Sequence, residues 1–296
     1  MTSDALTGPD HHAIQARKLA RRRVLSIVSH VVLIAASIGM LYPLLWMLSA
    51  AFRPENEIFS ATSLLPSSVS LDAFLRGWKG LQVSFATFFA NSFVISILSV
   101  IGNLGACSIT AYAFARLQFA GRRFWFALML GTLMLPYQVT LIPQYVMFLH
   151  LGWVNTFLPL VVPKFLAADS FFIFLMVQFF RGIPRELDEA ALIDGCSRFQ
   201  IYWRIMLPLS VPVLVTAGIF TFIFTWDDFF APLIYLNDMQ QYTVTLGLRT
   251  FVDSSAESDW GGLFAMSSLS LVPIFLIFLF FQRLLIEGIA TSGMKR

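Results

Sequence analysis

Charged residues are scarce in this chain of 296 residues, because only 12% are charged whereas 57% are hydrophobic. A soluble domain carries about 25% charged residues. A chain of this length cannot bury so much apolar surface in a core of its own, since the buried fraction of the surface grows slowly with size. The scarcity excludes an ordinary soluble protein and predicts that lipid is the solvent. The net charge of +3 is too small and too dispersed to indicate a nucleic-acid partner.

Cysteine is almost absent, since only Cys107 and Cys196 occur. Two thiols exclude a disulfide framework and indicate no metal site. The sequence also lacks the phosphate loop G-x-x-x-x-G-K-[ST] and the zinc motif H-E-x-x-H. We therefore expect no cofactor, no metal and no enzymatic activity in this chain. Energy for any active process has to come from a partner.

Asp, Glu, Lys and Arg are missing altogether from five long apolar stretches, at 24–52, 80–115, 124–163, 205–226 and 260–282. A sixth apolar stretch at about 158–180 carries Lys164 and Asp169. Each stretch reaches the roughly 20 residues that a helix needs to cross hydrocarbon, and a break near 152–155 divides the longest one. Membrane strands would alternate apolar and polar residues, and these stretches do not. The sequence thus predicts an all-α polytopic membrane protein with six transmembrane helices.

The distribution of basic residues predicts the orientation of these helices. Fifteen of the 20 lie at 1–23, 116–123, 181–204 and 283–296, whereas four lie in the segments between. Cytoplasmic loops are enriched in Lys and Arg, so both termini are predicted to be cytoplasmic. The predicted organisation is a basic tail (1–23), a first transmembrane helix (24–52), an extracytoplasmic segment (53–84), a permeation core (85–283) and a C-terminal tail (284–296).

The cytoplasmic segment 181–208 has the sequence RGIPRELDEAALIDGCSRFQIYWRIMLP. Proline followed by three acidic residues predicts the start of a short helix, and Gly195 predicts its end. Ser197 and Gln200 have the spacing of a capping box for a second helix, which would run into the fifth span. Such a unit suits docking into a groove of a soluble partner. An ordinary loop that caps its helices explains the same pattern equally well.

The same segment resembles the EAA loop of permeases from binding-protein-dependent ABC importers. The pattern is E-A-A, three residues, G, nine residues and I-x-L-P, and it is matched by Glu189, Ala190, Ala191, Gly195, Ile205, Leu207 and Pro208. Further segments, such as TWDDFFAPLIYL and YTVTLGL, resemble the MalG-like sugar permeases. The resemblance runs from about 85 to 282 and extends into the C-terminal QRLLIEGIATSGMKR.

This resemblance implies the ABC transmembrane type-1 importer fold, a bacterial inner-membrane location and a sugar or oligosaccharide as solute. It implies two ATPase subunits, a homologous second permease and an extracytoplasmic solute-binding protein as partners. Glu189 would be a polar contact to the ATPase, and Gly195 the turn between coupling helices. One position departs from the family pattern. Asp227 stands where the family commonly has Asn, so its role is open.

Trp226, Asp227 and Asp228 follow the fifth span, about 27 Å from Leu209 at ~1.5 Å per residue. An aromatic face and carboxylate oxygens suit a hydroxyl-rich solute, so these residues and Lys164 are candidates for the solute pathway. An interfacial Trp anchor beside solvated acids explains the same residues. Lys164 would alternatively extend to the interface or pair with Asp169. Because Lys164 alone is basic within a span, a neutral solute is expected.

Two other classes of function stay open from the residues alone. A proton-coupled secondary carrier would use Asp169, Asp227 and Asp228 as titrating groups, but it would not explain the coupling loop. A membrane scaffold without transport would need neither the acids nor the loop. Uptake that depends on the proton gradient and not on ATP would identify the carrier. Unchanged solute uptake after deletion of the chain would identify the scaffold.

Overall fold

The computed structural model describes residues 9–60, 63–252 and 258–293, and this part is helical without strands. A π-helical turn at Tyr202–Met206 lies between Ile201 and Leu207. The helices in chain order are α1 (Pro9–Ala51), α2 (Asp72–Lys79), α3 (Phe85–Arg116), α4 (Arg122–Thr132), α5 (Tyr137–His150), α6 (Leu158–Phe165), α7 (Ser170–Gly182), α8 (Glu186–Ile193), α9 (Arg198–Ile201), α10 (Leu207–Leu209), α11 (Val211–Trp226), α12 (Phe230–Tyr235), α13 (Val244–Arg249) and α14 (Trp260–Gly293).

Four helical segments are long and apolar enough to cross a membrane, namely Arg22–Ala51, Phe85–Arg116, Leu158–Gly182 and Trp260–Gln282. Two further pairs of helices, α4 with α5 and the α9–α10 segment with α11, pass the same test when each bent pair counts as one span. The described residues therefore hold four to six candidate spans. The all-α membrane class is confirmed, and the count of six stays a prediction.

The third predicted span is not one continuous helix. α4 and α5 meet at an angle of 101°, and Pro136 lies in the break with an extended backbone (φ −61°, ψ 133°). Proline disfavours helical geometry in the residue before it, which explains why the helix stops at this point. The predicted break near 152–155 is present, because Gly152 and Asn155 adopt left-handed φ values of 67° and 61°.

The segment 181–208 enters the fifth span through a bend. α11 is bent by 77° from the helical segment that ends with α10, and Ser210 lies at the break. Pro212 stands in the first turn of α11, where its missing N–H needs no helical partner, so the sequence favours a new helix start there.

α3 lies at the centre of the fold and packs against α6, α7, α11 and α13. Buried Phe88, Cys107 and Ala111 lie on this helix. Gly102 allows α6 to approach closely, because a β-carbon there would lie 2.5 Å from Cδ2 of Phe165. The missing side chain at Gly102 thus lets the ring of Phe165 lie against the α3 backbone.

The first and last helices extend beyond the predicted transmembrane spans. α1 begins at Pro9, so the tail predicted at 1–23 is helical from that residue on, and residues 1–8 lie outside the described residues. α14 continues to Gly293, and 294–296 again lie outside. In the segment 53–84, α2 packs against α14, and Nη2 of Arg76 in α2 lies 3.5 Å from Oδ1 of Asp259.

Candidate functional site

The segment 181–208 forms the predicted pair of short helices, which we call the coupling loop. α8 ends in a Schellman motif: Cys196 N–H donates to the Ala191 carbonyl (2.9 Å) and Gly195 N–H donates to the Leu192 carbonyl (3.1 Å). Gly195 has a φ of 82°, a left-handed conformation that glycine adopts without strain. The predicted helix stop at Gly195 is confirmed.

The second helix of the coupling loop begins with the predicted capping box. Ser197 N–H donates to Oε1 of Gln200 at 2.7 Å, and Gln200 N–H donates to Oγ of Ser197 at 3.3 Å. This reciprocal pair satisfies two amide groups that the first turn of a helix leaves without partners. The two caps give the loop a defined shape between α7 and α11.

The residues of the E-A-A pattern fall into an exposed group and a packed group. Glu189, Ala190, Gly195 and Pro208 are exposed. Ala191 is buried in the core cluster formed by α3, α7 and α11, and Ile205 and Leu207 pack against that cluster. The packed group therefore holds the loop to the membrane helices, while the exposed group makes no such contact with this cluster.

Two large apolar side chains near the Gly195 turn are exposed. Ile193 has 87% of its surface exposed and Phe199 has 68%. These residues were not predicted for the site, although two apolar residues beside a polar turn are a local signal in the sequence. Exposed apolar residues rimmed by polar ones are typical of a surface that meets a partner.

Arg116 and Asp188 form an ion pair that the sequence analysis missed. Nε of Arg116, the last residue of α3, lies 3.3 Å from Oδ2 of Asp188 in α8, and the two side chains are 2% and 9% exposed. Nη2 of Arg116 also donates to the Ile183 carbonyl at 2.6 Å. In the sequence, Arg116 counts among the basic residues that predict the membrane orientation, and Asp188 among the acidic residues that predict a helix start. No local pattern indicates that the two side chains meet.

A cavity of about 640 Å³ lies between α4–α5, α6–α7 and α11–α12. Its lining includes Lys164, Asp169 and Asp228, together with hydroxyl, amide and aromatic groups of Thr132, Tyr137, Thr140, Gln144, Ser170 and Tyr235. Two of the four residues predicted for the solute pathway, Lys164 and Asp228, therefore line one cavity. The rest of this polar lining was not predicted.

Lys164 and Asp169 pair across a break in the fourth span. Nζ of Lys164 lies 2.9 Å from Oδ2 of Asp169, and both side chains are partly exposed. Residues five apart do not share one face of a continuous helix. Ala167 has a left-handed φ of 54° between α6 and α7, and this break brings the two side chains together. Of the alternatives for Lys164, pairing is the one observed.

Trp226 and Asp227 do not line the cavity. Trp226 is 1% exposed, stacks on Phe222 with ring centroids 5.5 Å apart, and donates from Nε1 to the Ser270 carbonyl at 3.1 Å. The expectation that this ring offers its face to a solute is corrected by its burial in this conformation. Asp227 is exposed. Asp228 lines the cavity, and its Oδ1 accepts from Ala231 N–H at 3.3 Å.

A metal centre is not apparent in the described part of the chain, where no three His, Cys, Asp or Glu residues cluster. Cys107 is buried in the core and Cys196 is partly buried in the coupling loop, and both are free thiols.

A family model described as the inner membrane component of binding-protein-dependent transport systems matches residues 103–291. Among curated proteins, YurM of Bacillus subtilis, named as a probable ABC transporter permease, is 36% identical over 288 residues, covering 97% of this chain and 95% of YurM. The arabinooligosaccharide transport permease AraQ of Halalkalibacterium halodurans is 35% identical over 257 residues, covering 86% and 91%.

A similar solved structure belongs to a bacterial ABC transporter involved in the import of the acidic polysaccharide alginate. It has a TM-score of 0.80 at 23% identity and covers 88% of this chain and 96% of the other, which shows a shared fold. The family match includes the cavity-lining residues from Thr132 to Thr243 and the whole coupling loop. The chain therefore belongs to the family of inner membrane components of binding-protein-dependent transport systems.

Proposed function

We propose that this chain is one of two homologous permease subunits of an ATP-driven importer for a sugar or oligosaccharide. Two ATPase subunits would hydrolyse ATP on the cytoplasmic side, and an extracytoplasmic binding protein would deliver the solute. The permease core would span 85–283. The observation that carries this proposal is the coupling loop, an ordered helix–turn–helix with an exposed face inside the region that matches the family.

The exposed residues of the coupling loop would dock on an ATPase subunit. Ile193 and Phe199 supply apolar area, and Glu189 supplies a negative charge beside them. Ala190 and Gly195 leave little bulk, which suits close approach to a groove. Large apolar side chains at the centre of an interface carry much of its binding energy, so Ile193 and Phe199 would be the anchors.

The cavity would form this chain's part of the solute pathway. Lys164, Asp169 and Asp228 give its described lining one positive and two negative formal charges, which disfavours an anionic solute. Hydroxyl and amide groups are suited to hydrogen bonds with sugar hydroxyls. Tyr137, which is 46% exposed and lines the cavity, would make the aromatic contact with the solute that we expected of Trp226. A neutral solute is the proposal, and the name of AraQ supports a carbohydrate.

The proposed orientation places both termini and the coupling loop in the cytoplasm of an inner membrane. Single cysteines at Leu65 and Arg198, introduced into a chain in which Cys107 and Cys196 are replaced, test this orientation with a thiol reagent that does not cross membranes. Leu65→Cys should react in intact cells, and Arg198→Cys should react only after the cells are opened. The reverse pattern would contradict the orientation and the docking face together.

Co-purification tests the proposed assembly. An affinity-tagged copy of this chain, expressed from its native genome, should retain ATPase subunits and a second permease in detergent. The purified complex in proteoliposomes should hydrolyse ATP faster when the binding protein and a neutral oligosaccharide are added. Uptake that persists without ATP and stops when the proton gradient collapses would contradict the proposal in favour of a secondary carrier.

A further inference from the structure

Three polar side chains on the cytoplasmic end of α3 contact three successive parts of the coupling loop. Ser108, Tyr112 and Arg116 are spaced by four residues, so they lie on one face of the helix. Oγ of Ser108 lies 2.8 Å from Oη of Tyr202 in the π-helical turn, and Oη of Tyr112 donates to the Arg198 carbonyl at 3.1 Å. Arg116 reaches Asp188 in α8. We call these three residues the α3 latch.

The Arg116–Asp188 pair is better suited to fixing the position of α8 relative to α3 than to stabilising the fold. A buried ion pair is offset by the loss of hydration of both charges, and it stabilises a fold well only when further hydrogen bonds satisfy both groups. Oδ1 of Asp188 and Nε of Arg116 have no hydrogen-bond partner among the described residues. The guanidinium instead joins two parts of the chain, because Nη2 holds the Ile183 carbonyl just before α8 while Nε faces Asp188 within it.

The backbone between the coupling loop and α11 is interrupted, so it is less suited than a continuous helix to transmit a displacement to the membrane helices. The π-helical turn Tyr202–Met206 and the 77° bend at Ser210 both lie between α9 and α11. α3, in contrast, is continuous from Phe85 to Arg116. Its residue Ile95 lines the cavity, and Nδ2 of Asn103 donates to Oγ1 of Thr221 in α11 at 2.7 Å.

We infer that Arg116 and Asp188 are positioning residues that fix α8 to α3, so that a displacement of the coupling loop moves α3 and, through it, the cavity. This inference rests on the proposed function. It adds a side-chain route from the ATPase to the solute pathway, in parallel with the bent backbone route through α11.

The test compares the number of ATP molecules hydrolysed per solute imported by the assembled transporter in proteoliposomes. Arg116→Gln and Asp188→Asn should each raise this ratio by about tenfold, within the usual range for coupling between two sites. The matched control is Arg122→Gln. Arg122 lies at the start of α4, close to Arg116 in the chain. Its Nη1 donates to the Leu117 carbonyl at 2.9 Å, which belongs to the α3–α4 connection and not to the coupling loop.

A double variant, Arg116→Met with Asp188→Leu, separates positioning from stability. It removes both charges, so neither is left buried without a partner, and the amount of assembled transporter should recover relative to the single variants. The inference expects the ATP-to-solute ratio to stay high. A ratio equal to that of the unmodified transporter would overturn it.

Tyr112→Phe is a second variant that keeps the ring but loses the hydrogen bond to Arg198, and it should raise the ratio in the same direction. A normal ratio in both Tyr112→Phe and the double variant overturns the inference even if the single charge variants fail to assemble. The proposed function fails separately, when the unmodified complex shows no ATP hydrolysis that responds to solute. If the unmodified complex responds and the latch variants behave like it, the latch inference alone is wrong.

Discussion

Replacement of Gly195 tests the coupling loop at the turn that gives it its shape. Gly195 has a φ of 82°, and among the described residues a β-carbon added there would meet no atom within 4 Å other than those of its chain neighbours. Leucine would therefore cause no clash within the subunit. It would strain the left-handed turn and place four additional carbons on the face that we propose to dock on the ATPase.

The expected effect follows from the backbone alone. A residue with a β-carbon costs about 1–2 kcal/mol in the left-handed region, which lowers the equilibrium constant of the native turn against other conformations by roughly 5–30-fold. Solute-stimulated ATP hydrolysis in proteoliposomes should therefore fall in Gly195→Leu, by up to about this factor. Gly195→Asn should retain most of the activity, because Asn tolerates left-handed geometry better than other residues with a β-carbon.

Gly152→Leu is the matched control for strain. Gly152 also has a positive φ, 67°, and beyond its chain neighbours a β-carbon there would likewise meet no atom of the described part of the chain within 4 Å. It lies in the turn between α5 and α6, outside the coupling loop. Gly152→Leu should therefore preserve the stimulated activity of the transporter that assembles. If both leucine variants lose activity equally, or if Gly195→Leu retains it fully, the reasoning about the turn is refuted.

Four further predictions concern single side chains. Glu189→Lys should weaken association with the ATPase subunits, measured by co-purification, because it reverses a charge on the docking face. Tyr137→Ala should raise the solute concentration needed for half-maximal uptake while Tyr137→Phe keeps it, because the ring supplies the contact. Trp226→Ala should lower the melting temperature in detergent, at a cost of about 3–5 kcal/mol for a buried Trp, and unchanged melting would contradict its role in the core. In Lys164→Met, an anionic sugar should inhibit the uptake of a neutral sugar even less than in the unmodified transporter, because the substitution removes a positive charge from the cavity lining.

Local signals in the sequence predicted the coupling loop well. The stop at Gly195 and the capping box of Ser197 with Gln200 depend on residues a few positions apart, so their chemistry can be read directly from spacing. Hydropathy likewise predicted an all-α membrane protein, because the lack of charge over some 20 residues is itself the physical requirement for a span. These predictions needed no knowledge of how the helices pack.

The remaining features depend on contacts between distant residues. Arg116 and Asp188 are separated by 72 positions, and no local pattern indicates that they meet. Trp226 follows an apolar run, so the sequence allowed it to face either a solute or the core; packing against Phe222 and the Ser270 carbonyl decides for the core. The interruption at Pro136 could have been predicted from the proline itself, but a hydropathy profile alone does not show it.

Cross-linking from the coupling loop tests the central claim most directly. In a chain in which Cys107 and Cys196 are replaced, Ile193→Cys carries a thiol-reactive benzophenone next to the Gly195 turn. Leu65→Cys is the control, since Leu65 is 77% exposed and Ile193 is 87% exposed, but Leu65 lies in the segment that we propose to be extracytoplasmic. The account predicts that illumination of the assembled transporter joins position 193, and not position 65, to the ATPase subunit. No cross-link at 193, or equal cross-linking at both positions, would contradict it.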